Sequence, residues 1–527
     1  MDRVFIEDIN ESLINQIVLI KGWIDVYKKD NLVLQDFTGK ISVRNLKSIS
    51  LSNRDVVAIE GYVNKDRDCY YIYSIKIDII NKCTTSVNIG NTLGDFLKQS
   101  YQYYHDTNRI NNLKKVNLLS EEVRCFLTNN KFIELNNPLL WTSVQEYGKA
   151  EIKAVDPFDL NKEYVLPQSP NIQNLISIIG GIERNFQFNH CFRADKEKEN
   201  REDSIFEFTQ LAITAAFMSN EDGKELIEEL ISNLLFKLNE KVERPFKTIS
   251  YFDSIKLYNT DKPDLRYEKF FTPLITIEKN KSFKSLIIPF KLADDMIFSL
   301  SKSINKKIGD NFYILYISNN NVLNMFGSFK LKYNWKEIND LCKIDNFTII
   351  IVEQNAENVE ILFSSICKIL YPKFYGVVPK FKFCWIQNYP YIDITKGKES
   401  NHDNIGQNIF TKINDEVEKD IEYNYEKLNS KGIDLVLNGI ELASGSEKEY
   451  LVDNFIRNLK LLDIKGFEEK YNYFIDALKQ GAPPFFSIGI GWERLLWLLL
   501  QTQYIQEVMI FPKNYNGICL LTGTPLK

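Results

Sequence analysis

Two side chains near residue 200 have the types and spacing to bind a nucleotide. Arg193 follows an alternating apolar stretch, and Phe208 lies in a second such stretch beyond a charged spacer, a pattern that predicts strand, loop and strand. An arginine at a strand end can make a bidentate contact to a phosphate, and a phenylalanine offers a flat face to a base. From these residues alone, the alternative is an ordinary β-hairpin with a solvated charged tip.

The sequence around this hairpin resembles motif 2 of class II aminoacyl-tRNA synthetases, in the bacterial-type aspartyl branch. Residues 166–170 read Leu-Pro-Gln-Ser-Pro, residues 191–193 read Cys-Phe-Arg and residues 207–210 read Glu-Phe-Thr-Gln, as in that family. Other stretches resemble the family in the same order along the chain: 117–138 (motif 1), 260–266, 434–442, 489–499 (motif 3) and 508–513. The resemblance therefore extends over most of the chain.

The resemblance implies an ATP site. It places Arg193 on the α-phosphate, Phe208 against the adenine and Arg494 on the far phosphates, with Gly491 in the same site. Asp195 stands where the family has a glutamate, which keeps the charge but shortens the reach.

Activation of a carboxylate by ATP places negative charge on the transferring phosphoryl group, so such a site needs fixed cations and a metal ion. The cofactors that the resemblance implies are ATP and Mg²⁺, with Asp434 and Glu441 as the metal ligands. The side chains expected to act in catalysis are Arg193, Asp195, Glu441 and Arg494.

The resemblance also implies an amino-acid pocket, and here the chain departs from the family. The expected pocket residues are Glu146, Ser169, Asn171, Asn174, Gln210 and Lys448. Of these, Glu146 and Ser169 match positions that hold the α-amino group.

The departures affect the positions that bind an aspartate side chain. Lys448 replaces an arginine, Asn174 a lysine, Asn171 a glutamine and Ala212 an aspartate, and His402 alone lies near the family's pair of loop histidines. An unpaired buried carboxylate is costly, but one lysine can still pair with it. A shifted alignment or a compensated, fast-changing enzyme would also account for these differences.

Composition sets the broad class. The chain has 527 residues, of which 44% are hydrophobic and 26% charged, with a net charge of −5, as in a folded globular protein of several domains. Eight scattered cysteines and three histidines argue against a structural zinc site. No signal peptide or membrane span is expected, and a reduced, cytoplasmic setting fits best.

Local patterns predict an α+β fold. Five short strands indicate an OB-fold β-barrel, followed by a class II antiparallel-sheet catalytic domain interrupted by an α/β insertion domain. The expected domains are 1–90 (barrel, like an anticodon-binding domain), 91–266 (first catalytic segment, with motifs 1 and 2), 267–380 (insertion) and 381–527 (second catalytic segment, with motif 3).

Recognition of an anticodon by the barrel is doubtful on sequence grounds. The family's stacking aromatic aligns with Leu34 and its base-reading glutamine with Ser42, and acidic and basic residues balance over residues 1–82. A leucine stacks on a base less well than an aromatic ring does, and a serine reaches less far than a glutamine.

Three functional hypotheses follow. The first is a ligase that activates an amino acid, aspartate in the family, to its adenylate and transfers it to the 3′ end of tRNA, as a homodimer. The second is a paralog with another amino acid or a non-tRNA acceptor, as in amide-forming or natural-product pathways. The third is a non-catalytic scaffold that binds RNA or a ligand; the retained charged residues count against it.

Overall fold

A computed structural model describes residues 2–28, 31–46, 49–67, 69–85, 90, 92–142, 151–193, 205–270, 274–278, 281–308, 312–318, 321–327, 346–353, 359–392, 408–414, 428–514 and 516–525. The chain divides into two compact units. One comprises residues 1–117 and 506–527, and the other residues 118–505.

The first unit contains a closed five-stranded barrel. Its strands are β1 (Ile17–Lys28), β2 (Asn31–Gln35), β3 (Lys40–Arg44), β4 (Val56–Asp66) and β5 (Cys69–Asn81), in the order β1-β2-β3-β5-β4. Alternate residues face the interior, so Val57, Ile59 and Val63 of β4 are fully buried. Gly22 lets β1 approach β2 closely, because a Cβ there would lie 2.2 Å from the carbonyl oxygen of Gln35.

Helical segments form much of the rest of the first unit. They are the 3₁₀ turns Ile6–Asp8 and Glu11–Leu13, and the α-helices α1 (Leu93–Lys98), α2 (Ser100–Tyr103) and α3 (Thr107–Asn129), the last of which continues into the second unit. Thr92 and Asp95 begin α1 with a capping box, in which each side chain accepts a backbone N–H of the other residue.

The second unit contains most of the strands. They are β6 (Ile133–Glu134), β7 (Lys153–Val155), β8 (Glu163–Val165), β9 (Arg184–Phe192), β10 (Glu207–Ala216), β11 (Lys247–Ser250), β12 (Leu274–Glu278), β13 (Lys281–Ile288), β14 (Phe312–Ser318), β15 (Asn321–Gly327), β16 (Phe347–Glu353), β17 (Phe383–Gln387), β18 (Gly432–Leu437), β19 (Ile440–Lys448) and β20 (Phe485–Gly491). Eight of these strands form one sheet in the order β11-β17-β18-β19-β20-β10-β9-β6. Its strands pair antiparallel, except for β11 with β17 and β6 with β9.

Helices cover both faces of the eight-stranded sheet. The helices of this unit are α4 (Asn171–Ile179), α5 (Asn220–Lys237), α6 (Tyr251–Tyr258), α7 (Asp294–Ile308), α8 (Val359–Tyr375), α9 (Val452–Leu461), α10 (Phe467–Lys470), α11 (Asn472–Leu478) and α12 (Trp492–Leu500), with 3₁₀ turns at Leu265–Tyr267 and Ile505–Val508. On one face, Gly223 of α5 lies against Phe486, where a Cβ would be 2.4 Å from the ring. The ring of Trp492 of α12 also contacts that of Phe188 there, at 5.1 Å. On the other face, α4 packs in one apolar cluster with Phe485.

A second, five-stranded antiparallel sheet has the order β12-β13-β16-β14-β15. Leu286, Ile314 and Ile350 from three of its strands share one buried cluster with Ile297 of α7 and Leu362 of α8. Apolar residues at every second position of the strands meet the apolar side of each helix, as in a two-layer arrangement.

The α+β fold class is confirmed: the chain has a barrel, a large mostly antiparallel sheet and an inserted α/β layer. The predicted domain boundaries remain a prediction. In the motif 1 region, apolar spacing predicts a helix over 117–130 and a strand over 131–138. The helix instead begins ten residues earlier, at Thr107, and the strand is reduced to Ile133–Glu134. Lys131 takes a left-handed φ of 68° just after the helix. Residues 395–430, whose Gly, Asn and Asp content predicts a loop, lie largely outside the described residues.

Candidate active site

One face of the eight-stranded sheet is polar although it is buried. Residues directly opposite each other in antiparallel strands lie on the same face. Rows of such residues cross β9, β10, β20 and β19, and one of them continues to β18. One row consists of Asn185, Thr214, Ser487 and Ser446, and the next of Gln187, Ala212, Gly489, Ser444 and Asp434. Buried polar groups at this density are uncommon in a simple core, so this face, named here the polar face, is the candidate site.

Each side chain of the first row makes a hydrogen bond. The hydroxyls of Thr214 and Ser487 are 3.0 Å apart, and that of Ser446 lies 3.1 Å from the hydroxyl of Thr411. The Asn185 side-chain amide donates to the hydroxyl of Ser177 on α4, at 2.8 Å. These bonds fix the floor of the site and the helix above it.

Small residues in the second row make room for Gln210. Gly489 lies beneath the Gln210 amide, since a Cβ there would be 1.7 Å from its Nε2. Gln210 is buried, and the Cys191 thiol donates to its Oε1 at 3.7 Å. Gly491, by contrast, has ordinary space around its missing Cβ, with Arg494 Cβ nearest at 3.6 Å.

The arginine and the phenylalanine of the predicted hairpin lie together, as the pattern predicted. Arg193 follows β9 and Phe208 belongs to β10, and the Arg193 guanidinium carbon is 5.1 Å from the Phe208 ring centroid. The backbone N–H of Arg193 donates to the backbone carbonyl of Phe206 at 3.0 Å. Asp195 lies outside the described residues.

The first turn of α12 is bonded to two strands of the sheet. The Arg494 Nη1 donates to the backbone carbonyl of Glu441 at 2.7 Å, and the Glu493 carboxylate accepts from the Thr209 N–H at 2.8 Å. Burial raises the pKa of Glu493. Sequence reasoning missed Glu493, whose role depends on the β10 backbone far away in the chain.

Asp434 and Glu441 form an acidic pair with a lysine beside it. The Lys262 ammonium is 3.2 Å from Glu441 Oε2 and 3.0 Å from Asp261 Oδ2. Burial and the neighbouring Glu441 charge raise the pKa of Asp434 to about 7. Burial would also raise the pKa of Glu441, but Lys262, Arg494 and Arg193 hold it below its usual value.

The two carboxylates fit a magnesium ion that arrives with a nucleotide. Among the described residues, no cluster of three or more histidine, cysteine, aspartate or glutamate side chains could hold a metal. Mg²⁺ commonly uses one or two carboxylates and takes its other ligands from phosphates and water. Asp434 and Glu441 would supply the protein's share.

Lys448 ends the polar face at the last position of β19. It is 5% exposed, and its ammonium donates to the Ser446 hydroxyl at 2.7 Å. No carboxylate among the described residues forms an ion pair with it. Burial lowers the pKa of Lys448 to about 7.

Helix α4 and the loop before it supply the other predicted pocket residues. Asn174 is buried, and its Oδ1 accepts from Asn137 at 2.9 Å, while its Nδ2 has no partner among the described residues. Ser169 lines an open surface pocket together with Trp141. Asn171 begins α4. Glu146 lies outside the described residues.

Sequence reasoning also missed the polar residues of β9. Asn185, Gln187 and Asn189 alternate with Phe186 and Phe188, and all three polar side chains are buried. Gln187 Nε2 has no partner among the described residues. The signal available in the sequence was the alternation of polar and aromatic residues with a period of two, which is typical of a strand.

Comparison with known proteins establishes the family. Residues 96–515 match the model of the family described as tRNA synthetases class II (D, K and N). The aspartate–tRNA ligase of Malacoplasma penetrans is 28% identical over 99% of this chain and 96% of its own length. The aspartate–tRNA(Asp/Asn) ligase of Dictyoglomus turgidum is 27% identical over 98% of this chain and 94% of its own length.

Solved structures agree on the fold. Asparaginyl-tRNA synthetase from Pyrococcus horikoshii, complexed with asparaginyl-adenylate, superimposes with a TM-score of 0.63 at 17% identity, covering 97% of this chain and 98% of that one. The asparaginyl-tRNA synthetase from Entamoeba histolytica superimposes with a TM-score of 0.61 at 15% identity, covering 97% of each chain.

The chain therefore belongs to the class II tRNA synthetase family (D, K and N). The resemblance seen in the sequence is confirmed, and the relatives named above are ligases of the aspartyl branch. The expectation of an ATP-dependent ligase of this class is also confirmed. Among the described residues, no helix is both long and apolar enough to cross a membrane.

Proposed function

We propose that this protein activates aspartate with ATP to aspartyl-adenylate and pyrophosphate, and then transfers the aspartyl group to the 3′ end of tRNA. An aspartate carboxylate oxygen attacks the α-phosphorus, and pyrophosphate leaves. The tRNA hydroxyl then attacks the carbonyl carbon, and AMP leaves. The proposal extends to Mg²⁺ as the metal, to a homodimer and to the cytoplasm, as expected from the family.

The observation that carries the choice of aspartate is the burial of Lys448. A lysine held away from water, with a hydroxyl as its hydrogen-bond acceptor, gains most from a ligand that brings a negative charge. The side-chain carboxylate of aspartate is such a ligand, whereas the amide of asparagine is not. The buried amide donors of Asn174 and Gln187 could bind further oxygens of the amino acid.

The ATP half of the site supports the same reaction. Arg193 and Arg494 are the cations for the phosphates, and Phe208 offers its ring to the adenine. Magnesium would neutralise phosphate charge when bound. Asp434 and Glu441 would hold it, and Arg494 is already fixed to the strand that carries Glu441.

A different acceptor is the second candidate, because of one observation in the barrel. Leu34, at the position of the family's stacking aromatic, is fully buried in the barrel core. It therefore cannot stack on a base, so contacts with an anticodon would have to come from other residues.

Amino-acid-dependent ATP–pyrophosphate exchange tests the proposal, with aspartate and asparagine compared first and the other amino acids after. Aspartate-dependent exchange and charging of tRNA are expected. Exchange with aspartate but no charging would favour the second candidate. Exchange with another amino acid, or with none, would contradict the proposal.

A further inference from the structure

The segment formed by residues 260–266 places a lysine at the predicted metal ligands. Lys262 is ion-paired with Glu441 at 3.2 Å and with Asp261 at 3.0 Å. Its side chain is 30% exposed and that of Glu441 31%. The ammonium therefore lies beside a carboxylate oxygen that a divalent ion would need.

Hydrogen bonds hold this segment in place. The Lys262 N–H donates to Thr260 Oγ1 at 3.1 Å, and the hydroxyl of Ser254 on α6 donates to the Thr260 carbonyl at 2.7 Å. A few residues on, the Arg266 guanidinium contacts both carboxylate oxygens of Asp264, with Nη2 2.6 Å from Oδ2. The backbone position of Lys262 is thus fixed by bonds that do not involve Glu441.

The turn between β18 and β19 packs against the same segment. Gly439 in this turn has a φ of +84°, and a Cβ there would lie 3.2 Å from Asp264 Cβ. The strands that carry Asp434 and Glu441 are therefore in contact with the segment that carries Lys262. The ammonium therefore reaches Glu441 from a backbone position that the fold fixes.

Charge favours the ammonium at this place when no other cation is present. Asp434 is 4% exposed, and an uncompensated pair of carboxylates at such a site is costly. A divalent ion and the ammonium attract the same oxygens and repel each other. Binding of a metal ion from solution must therefore overcome Lys262.

We propose that Lys262 is a positioning residue that holds Glu441 in the metal-free enzyme and weakens divalent-ion binding until ATP phosphates supply further ligands. The inference rests on the proposed function, since it takes Asp434 and Glu441 as the metal ligands. As a consequence, the site binds the metal ion more tightly together with the nucleotide than alone.

Binding of Mn²⁺ to the full-length protein without ATP, followed by electron paramagnetic resonance, tests this directly. K262M should lower the Kd for Mn²⁺ about tenfold or more, whereas K262R, which keeps the charge, should stay within about twofold of wild type. K247M is the matched control, because Lys247 forms an ion pair with Glu268 at 3.1 Å outside the acidic pair. It should leave Mn²⁺ binding unchanged.

Two further measurements separate positioning from a general effect on folding. In EDTA, K262M should unfold at a lower temperature than wild type, and Mn²⁺ should restore its melting temperature. In an E441Q background, K262M should tighten Mn²⁺ binding less than it does in the wild type, because only the repulsion between the ammonium and the ion is then removed. An unchanged Kd in K262M, or a melting temperature that metal does not restore, would overturn the inference.

Failure of the proposed function gives a different result. If the wild type shows no aspartate-dependent exchange, the proposed function is wrong, whatever K262M does to Mn²⁺ binding. If exchange is present and Mn²⁺ binding does not depend on Lys262, the inference alone is wrong.

Discussion

At the scale of single residues, the proposed choice of aspartate rests on Lys448. Its ammonium is buried and donates to a hydroxyl, so a bound carboxylate would gain an ionic partner that water hardly screens. The Ser446 hydroxyl that accepts from the ammonium is itself 3.1 Å from the hydroxyl of Thr411. A planar arginine fork is not needed for this contact, although a lysine gives it less directional control.

Replacement of Lys448 by methionine should raise the KM for aspartate roughly a hundredfold, because an unpaired buried carboxylate costs about 3 kcal/mol or more. Pyrophosphate exchange at varied aspartate measures this. K224M is the matched control, since Lys224 is equally buried but bonded to Glu221 and Gln387. It should lower the melting temperature and leave the KM for aspartate as it was. Equal KM values for K448M and wild type would contradict the role of Lys448.

The pH dependence should report the same side chain. Burial lowers the pKa of Lys448 to about 7, so the free enzyme loses the ammonium as pH rises through that value. The kcat/KM for aspartate should then fall above pH 7 and approach a tenfold loss per unit, about the limit for one essential proton. In K448R this decline should disappear, because arginine stays protonated. A decline that persists in K448R would assign it to another group.

The proximity of Arg193 and Phe208 could be predicted from the sequence, and the partners of other candidate residues could not. Arg193 and Phe208 are close together in the chain and belong to one hairpin, so their proximity follows from local pattern. Lys262 lies in a stretch that resembles the family, but its ion pair with Glu441 joins distant segments. Such pairs depend on strand order, which local periodicity does not specify.

At the scale of elements, the alternation along β10 organises the site. Phe208 and Gln210 belong to the polar face, whereas Leu211 and Ile213 are buried among apolar residues on the other face. The neighbouring strand β20 must leave space for the Gln210 amide, and it does so with Gly489.

A methyl group at Gly489 should disturb the amino-acid pocket. In G489A the added Cβ would overlap the Gln210 amide, which must then leave its place, and overpacking costs about 1–3 kcal/mol. We expect a KM for aspartate about tenfold higher or more, measured by exchange. G180A is the control, since Gly180 has a helical φ of −72° and ordinary space around it. An unaltered KM in G489A would show that Gln210 plays no part in binding.

In the predicted insertion, alternation and helical spacing predict strands at 285–289, 311–317 and 348–352 and helices at 291–303 and 358–370, and these match β13, β14, β16, α7 and α8. Elsewhere in the second unit, some elements differ from the sequence pattern. The strand of motif 1 is shorter than its apolar pattern suggested because it pairs with β9 at only two positions, Ile133 and Glu134. The polar rows were not predicted at all, because they require the register of four strands.

At the scale of the whole molecule, the barrel in the first unit and the large sheet in the second both carry positions to which the family resemblance assigns a role. The sheet keeps the charged residues expected for ATP. The barrel keeps its closed architecture but has Leu34 in its core, where the family's alignment expects a stacking residue.

Charging of tRNA should therefore depend weakly on the anticodon. Stacking of one base contributes about 1–3 kcal/mol, and Leu34 cannot supply it. We expect single-base changes in the anticodon of an aspartate tRNA to lower kcat/KM for charging by less than about tenfold. Transcripts with altered acceptor-stem bases serve as the comparison. A loss of a hundredfold or more from an anticodon change would show that other barrel residues read it.

Even-numbered and odd-numbered residues of β10 lie on opposite faces of the sheet. Substitutions at even-numbered positions from 208 to 214 alter the surface on which substrates would lie, and those at the odd positions 211, 213 and 215 alter contacts with the packed interior. A library of single variants scored separately for growth and for protein abundance should divide along this strand. Even positions would change growth at normal abundance, and odd positions would change both together.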